Sequence, residues 1–85
     1  MIHAIYPGSF DPIHNGHLDI IERASHLFDQ VTVAVLHNSL KEKGLFSIEE
    51  RLEIIASSVQ NWPNVNAEKF EGLLVNYAER IGASV

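Results

Sequence analysis

The sequence YPGSFDPIHNGH, residues 6–17, decides how the rest of the chain is interpreted. It follows a short apolar run at residues 2–6 that predicts a β-strand, and a helical pattern opens just after it. Gly8 permits a ligand to approach the backbone closely, and a helix start presents unpaired N–H groups at the positive end of its dipole. A strand that leads through a glycine turn into a helix therefore predicts a phosphate-binding site here.

The apolar pattern alternates between strand and helix along the whole chain. Strands are predicted at residues 2–6, 31–36 and 65–70, with the start of a fourth at 83–85, and helices at about 16–28, from 47 to about 59, and at about 73–81. This alternation predicts an α/β fold, a Rossmann-like parallel sheet with helices on its faces, of which the chain supplies the first βαβαβα half.

Each predicted helix carries its own signals. The first is predicted to bury a face made of Ile20, Ile21, Ala24, Leu27 and Phe28. The second begins with a capping box at residues 47–50 (SIEE) and repeats apolar residues at Ile48, Leu52, Ile55 and Val59. The third is predicted to use Leu74, Tyr77, Ala78 and Ile81, and Gly82 is a favourable residue just beyond its end.

In such sheets, ligands bind outside the carboxyl ends of the strands. The loops that leave those ends are predicted to be residues 7–17, 37–46 and 69–73. Side chains that are distant in sequence should therefore share one edge of the sheet, namely Ser9, His14, His17, Lys41 and Lys43. Hydroxyl, imidazole and ammonium donors at one edge are suited to a phosphorylated ligand.

Other interpretations of the same residues exist. His14 and His17 could bind a metal ion, with Asp11 or Asp19 as a third ligand, because imidazole is a common metal ligand. Residues 6–17 match neither the dinucleotide-binding fingerprint GxGxxG nor the P-loop pattern GxxxxGK[ST]. The two lysines could equally belong to a solvated loop.

Composition restricts the class of protein. Eighty-five residues suit one domain, and 11 acidic against 6 basic residues disfavour general nucleic-acid binding, which needs a basic surface. The chain has no cysteine, which excludes disulfides and thiolate zinc sites. Its longest strongly apolar stretch, residues 31–36, is too short to cross a membrane, and no leader is visible, so a cytoplasmic protein is expected.

Several stretches together resemble a known family. SFDP at residues 9–12 and HNGH at residues 14–17 resemble the (S/T)FDP…HxGH signature of the nucleotidyltransferase superfamily. Within it, YPGSFDP (6–12), FDQV (28–31), LFSIEER (45–51) and GLLVNY (72–77) resemble bacterial phosphopantetheine adenylyltransferases. The resemblance implies an enzyme of coenzyme A biosynthesis that, with Mg²⁺, joins ATP to 4′-phosphopantetheine and releases dephospho-coenzyme A and pyrophosphate.

The resemblance also implies roles for individual residues. Ser9 and Phe10 match positions that contact ATP, and Ser9 also meets the phosphate of pantetheine. His17 matches the histidine that contacts ATP and stabilises the transition state. Lys41 matches the lysine that holds the substrate phosphate, with Lys43 as a possible substitute, and Leu74 matches a residue along the pantetheine arm. No residue is assigned to a metal.

Residues 1–85 match the N-terminal half of that enzyme, since the family continues with arginine-rich and serine-rich segments that bind ATP phosphates. The family forms hexamers, so a homo-oligomer is expected. Two alternatives remain open. The chain could be a non-catalytic half-domain that only folds, self-associates or binds nucleotide weakly, or it could use another phosphate acceptor.

Overall fold

A computed structural model describes residues 1–37 and 46–85 as a layered α/β structure. Its strands are β1 (His3–Gly8), β2 (Gln30–Leu36) and β3 (Val65–Phe70), and its helices are α1 (Asn15–Leu27), α2 (Ile48–Ser58) and α3 (Leu74–Ile81). The strands are parallel and lie in the order β1-β2-β3. The predicted α/β class, with a parallel sheet and βαβαβα order, is confirmed.

The two faces of the sheet are buried by different helices. On one face, Val33 and Val35 of β2 pack in a cluster with Ile21 of α1 and Ile55 of α2. On the other face, Ala34 packs with Phe70 and with Tyr77 of α3. Right-handed crossovers that proceed in one direction place their helices on one face, so α3 on the opposite face directs the chain back towards β1.

The predicted buried face of α1 is partly wrong. Ile21 is fully buried, but Ile20 is 51% exposed and Leu27 is 74% exposed. The core contacts come instead from Ile21 and the partly buried Leu18, which are three residues apart. Because successive residues of an α-helix are rotated by about 100°, Ile20 and Leu27 share a stripe that lies beside the inward one. The apolar residues alone did not distinguish the two stripes.

The predicted helix boundaries at α2 and α3 are confirmed. The side chain of Ser47 accepts from the Glu50 amide at 3.1 Å, and the Ser47 amide donates to the Glu50 carboxylate at 2.9 Å, which completes the capping box. The hydrogen bonds from Ser47 lower the pKa of Glu50. At the end of α3, Gly82 adopts a left-handed conformation with φ of 79°.

The chain returns to the sheet after α3. The Ser84 amide donates to the His3 carbonyl at 2.9 Å, and the Ile5 amide donates to the Val85 carbonyl at 2.9 Å. These bonds place residues 84–85 along the edge of β1 that faces away from β2, where a fourth strand is expected. Residues 83–85 do not themselves form a regular strand. Within the described ranges, no helix has the length and apolar character that a membrane-spanning segment requires.

Candidate functional site

The carboxyl ends of the three strands meet at one edge, where a cleft opens. The last residues of the strands are Gly8, Leu36 and Phe70. The cleft has a volume of about 410 Å³ and is lined by Pro7, Gly8, Ser9, Leu36, Phe70, Gly72 and Leu74. The structure thus brings together Ser9 and Leu74, two predicted site residues from opposite ends of the chain. Its lining is mainly apolar, with Ser9 contributing a polar side chain, which suits a ligand whose greater part is uncharged.

The loop after β1 has an unusual backbone. Phe10 has a φ of 47°, in the left-handed region that bulky residues rarely adopt, and the whole residue is only 3% exposed. The following Asp11–Pro12 peptide bond is cis. A Cβ atom at Gly8 would lie 3.0 Å from the Phe10 ring, so the absence of a side chain at Gly8 is explained by packing within the loop. Phe10 therefore serves as a packed core residue of this loop.

His14 and His17 form the start of α1. His14 is the N-cap residue, and its Nδ1 accepts from the Gly16 amide at 3.0 Å. The Nδ1 of His17 accepts in turn from the His14 amide at 3.1 Å. Backbone amides can only donate, so both Nδ1 atoms are unprotonated and each neutral ring carries its proton on Nε2. The capping box therefore selects the tautomer in which each histidine offers an Nε2–H donor.

The surroundings of His17 favour the neutral form of its ring. The ring stacks on His14 with centroids 3.7 Å apart, and it meets Phe10 edge-on at 4.9 Å. Tyr6 lies farther away, at 6.2 Å between centroids. Burial of the ring and, secondarily, the nearby charge of protonated His14 lower the pKa of His17 below its ordinary value. A neutral imidazole at a helix start is a hydrogen-bond donor suited to a phosphate oxygen.

We expect an NMR titration to give His17 a pKa below 6.5. Folding opposes protonation of this ring, so the neutral ring contributes fully to the stability of the protein at pH values above its ordinary pKa. This contribution is lost as the pH falls through the lower pKa of the folded state. Replacing His14 by threonine should raise the pKa of His17 only part of the way, because the cap acceptor is kept and burial is the larger cause. His26→Thr, at the exposed far end of α1, is the control and should leave the titration unchanged. A His17 pKa at or above its ordinary value would contradict this prediction.

The metal-binding alternative finds no support in the residues that the structure describes. Within residues 1–37 and 46–85, no group of three His, Cys, Asp or Glu side chains is arranged to hold a metal ion. Asp11 accepts from the Phe46 amide at 2.9 Å, and Asp19 pairs with Arg23 at 3.2 Å. Among the described residues, neither carboxylate completes a three-ligand group with the histidine pair.

Arg51 contacts the loop of the candidate site, and sequence reasoning did not predict this contact. It lies on α2 with only 5% of its surface exposed, and its Nη1 donates to the Ser9 carbonyl at 2.9 Å. The only local signal was its place four residues after the helix cap Ser47, which does not reveal a contact with a loop 42 residues earlier. Lys41, predicted to hold the substrate phosphate, and Lys43, its possible substitute, lie outside the described residues.

Comparison with known proteins assigns the chain to a family. The sequence profile described as cytidylyltransferase-like matches residues 5–85. The chain belongs to the cytidylyltransferase-like family. One curated relative is the phosphopantetheine adenylyltransferase of Desulforudis audaxviator (strain MP104C), which is 59% identical to this chain over 80 residues. The alignment covers 94% of the chain and 48% of the relative. The phosphopantetheine adenylyltransferase of Deinococcus radiodurans is 49% identical over 85 residues, covering 99% of the chain and 51% of the relative.

These matches confirm the predicted resemblance to phosphopantetheine adenylyltransferases. The cytidylyltransferase-like chain spans about half the length of the curated relatives it matches.

Proposed function

We propose that this protein transfers the adenylyl group of ATP to 4′-phosphopantetheine, giving dephospho-coenzyme A and pyrophosphate. The observation that carries the proposal is the capping contact of His17, which fixes an Nε2–H donor beside the loop that lines the cleft. The names of the two relatives support the choice of substrates. The mainly apolar lining of the cleft, together with the Ser9 side chain, agrees with a substrate that joins a phosphate to a long uncharged arm.

The reaction requires alignment more than proton transfer. An oxygen of the pantetheine phosphate attacks the α-phosphorus of ATP, the bond to the bridging oxygen breaks, and its electron pair leaves with pyrophosphate. A phosphate monoester has a second pKa of about 6 and is mostly dianionic at neutral pH, so the nucleophile needs no general base. Holding two polyanions in line can supply roughly 7–11 kcal/mol of the barrier.

We assign the side chains by position. His17 donates from Nε2 to an α-phosphate oxygen, where negative charge grows in the transition state. Ser9 and the backbone of Phe10 contact ATP, and Ser9 also meets the phosphate of pantetheine. Leu74, which is 38% exposed in the cleft, packs against the pantetheine arm. Lys41, or Lys43 in its place, holds the acceptor phosphate.

Magnesium enters this proposal with its nucleotide. Mg²⁺ in nucleotide enzymes is usually held by substrate phosphates with one or two carboxylates, rather than by an all-protein site. The described residues do not fit a resident metal site, because they contain no three-ligand group. We therefore assign no residue to the metal and derive no step through it.

The proposal extends to the setting of the enzyme. We propose that residues 1–85 form the N-terminal half of a nucleotidyltransferase domain that acts in the cytoplasm as a homo-oligomer, with hexamers as the expected form. The match to about half of each relative supports the first part.

Pyrophosphate release tests the function. The protein is incubated with ATP, Mg²⁺ and 4′-phosphopantetheine after circular dichroism and sizing have shown a folded species. Pyrophosphate that appears only with 4′-phosphopantetheine supports the proposal. Faster release with nicotinamide mononucleotide or glycerol phosphate would instead indicate another acceptor. A folded protein that releases none with any acceptor would support a non-catalytic half-domain.

A further inference from the structure

Arg51 connects α2 to the loop that contains the candidate ATP contacts. Its Nη1 donates to the Ser9 carbonyl at 2.9 Å, and its side chain is nearly completely buried. The Nε atom of the same side chain lies 3.4 Å from the Ser47 carbonyl at the start of α2. A second connection runs in parallel, from the Phe46 amide to the carboxylate of Asp11 at 2.9 Å. The loop after β1 is thus hydrogen-bonded, through Ser9 and Asp11, to the segment that begins α2.

Burying a guanidinium group at a core position costs free energy. Removing a charge from water is unfavourable, whereas an apolar side chain of similar volume at this place would avoid the cost. The neighbours of Arg51 on the inner face of α2 are apolar, with Ile48 2% exposed and Ile55 fully buried. Burial of an arginine among them indicates that its hydrogen bonds, rather than its packing, explain its presence.

The contact with Ser9 determines how one peptide group is turned. In a planar trans peptide, the carbonyl of Ser9 and the N–H of Phe10 point in opposite directions. When Arg51 holds that carbonyl towards α2, the Phe10 N–H must point away from α2. Phe10 has a left-handed φ of 47°, a conformation that costs free energy and persists only when the surroundings hold it. The hydrogen bond from Arg51 to the Ser9 carbonyl helps to hold Phe10 in this conformation.

We propose that Arg51 is a positioning residue for nucleotide binding. It fixes the Ser9–Phe10 peptide so that the Phe10 N–H and the adjacent Ser9 side chain face the phosphates of ATP. Arg51 itself does not contact the nucleotide in this arrangement. The inference rests on the proposed function, since it takes ATP as the ligand of this loop.

The test is an ATP titration of the intact protein with the Phe10 amide observed by ¹⁵N NMR. Arg51→Met removes the donor, and we expect ATP affinity to fall by about tenfold to a hundredfold. We also expect the Phe10 amide resonance to shift before any ATP is added. Arg51→Lys keeps the charge but not the planar fork, so its affinity should be intermediate. Two controls should bind ATP as the wild type does: Arg23→Met, on the exposed side of α1, and Ser47→Ala, which weakens the cap of α2.

The outcomes separate the two proposals. Wild-type protein that binds no ATP would refute the proposed function, and this inference with it. Wild-type binding together with unchanged affinity and an unchanged Phe10 resonance in Arg51→Met would refute the inference alone. If Arg51→Met does not fold, the same comparison is made with Arg51→Lys. An ATP affinity and a Phe10 amide resonance equal to those of the wild type would then refute the inference. An equal loss in Ser47→Ala would reduce Arg51 to a stabilising residue and also refute it.

Discussion

Replacing His17 by alanine is expected to lower the turnover number by about 100-fold to 1000-fold, with a much smaller change in ATP affinity. The reason is that, in the proposed mechanism, the Nε2–H of His17 donates where charge develops, so its contribution is largest in the transition state. The loss corresponds to about 2.7–4 kcal/mol of transition-state stabilisation, as found for single donors of this kind. The measurement is steady-state pyrophosphate release together with direct titration of ATP.

This variant requires a check on its folding. His17→Ala also removes the acceptor for the His14 amide, so α1 loses one of its capping contacts. Thermal unfolding therefore accompanies the kinetics, which are recorded well below the transition. His26→Ala, an exposed histidine in the last turn of the same helix, is the matched control and should leave both kinetic quantities unchanged. A loss of ATP affinity as large as the loss of turnover would contradict the assigned role.

Replacing Phe10 by alanine is expected to destabilise the protein and disturb the site together. Deleting a buried phenylalanine side chain typically costs about 3–5 kcal/mol, because apolar burial is lost and a cavity remains. The ring also contacts His17 at 4.9 Å, so water admitted to the cavity should raise the pKa of His17 towards its ordinary value. Urea unfolding measures the first effect and an NMR titration measures the second.

Ile55→Ala is the matched control for Phe10. Both side chains belong to the same buried cluster, and an isoleucine deletion costs a similar amount, about 2–5 kcal/mol. Ile55 lies on α2, and we expect its loss to leave the titration of His17 unchanged. Where either alanine variant is too unstable to study, Phe10→Leu and Ile55→Val repeat the comparison at lower cost. Equal shifts in the His17 pKa from both variants would show that the effect is only general loosening of the core.

The fold was largely predictable from the sequence because its signals are local. The β-branched run of β2, the capping box at Ser47 and the glycine after α3 each act over a few residues, and each is found where expected. The meeting of Ser9 with Leu74 was also predictable, since parallel strands place their carboxyl ends at one edge.

The remainder depends on contacts that no short pattern encodes. Which stripe of α1 turns inward depends on how the helix packs on the sheet, so Ile20 and Leu27 were misassigned. The hydrogen bond from Arg51 to Ser9 joins segments 42 residues apart, and an arginine on a helix ordinarily suggests a solvated side chain. The contact between Phe10 and His17 arises from a left-handed backbone that the residue type disfavours.

The capping contact of His17 immobilises its ring before any ligand binds. A side chain ordinarily loses rotational freedom when it binds a ligand, and this loss of entropy opposes association. Here the imidazole is immobilised when the first helix nucleates, because its Nδ1 is already engaged three residues back along the chain. The entropy is lost during folding, so under the proposed function the nucleotide would meet a donor that is already oriented.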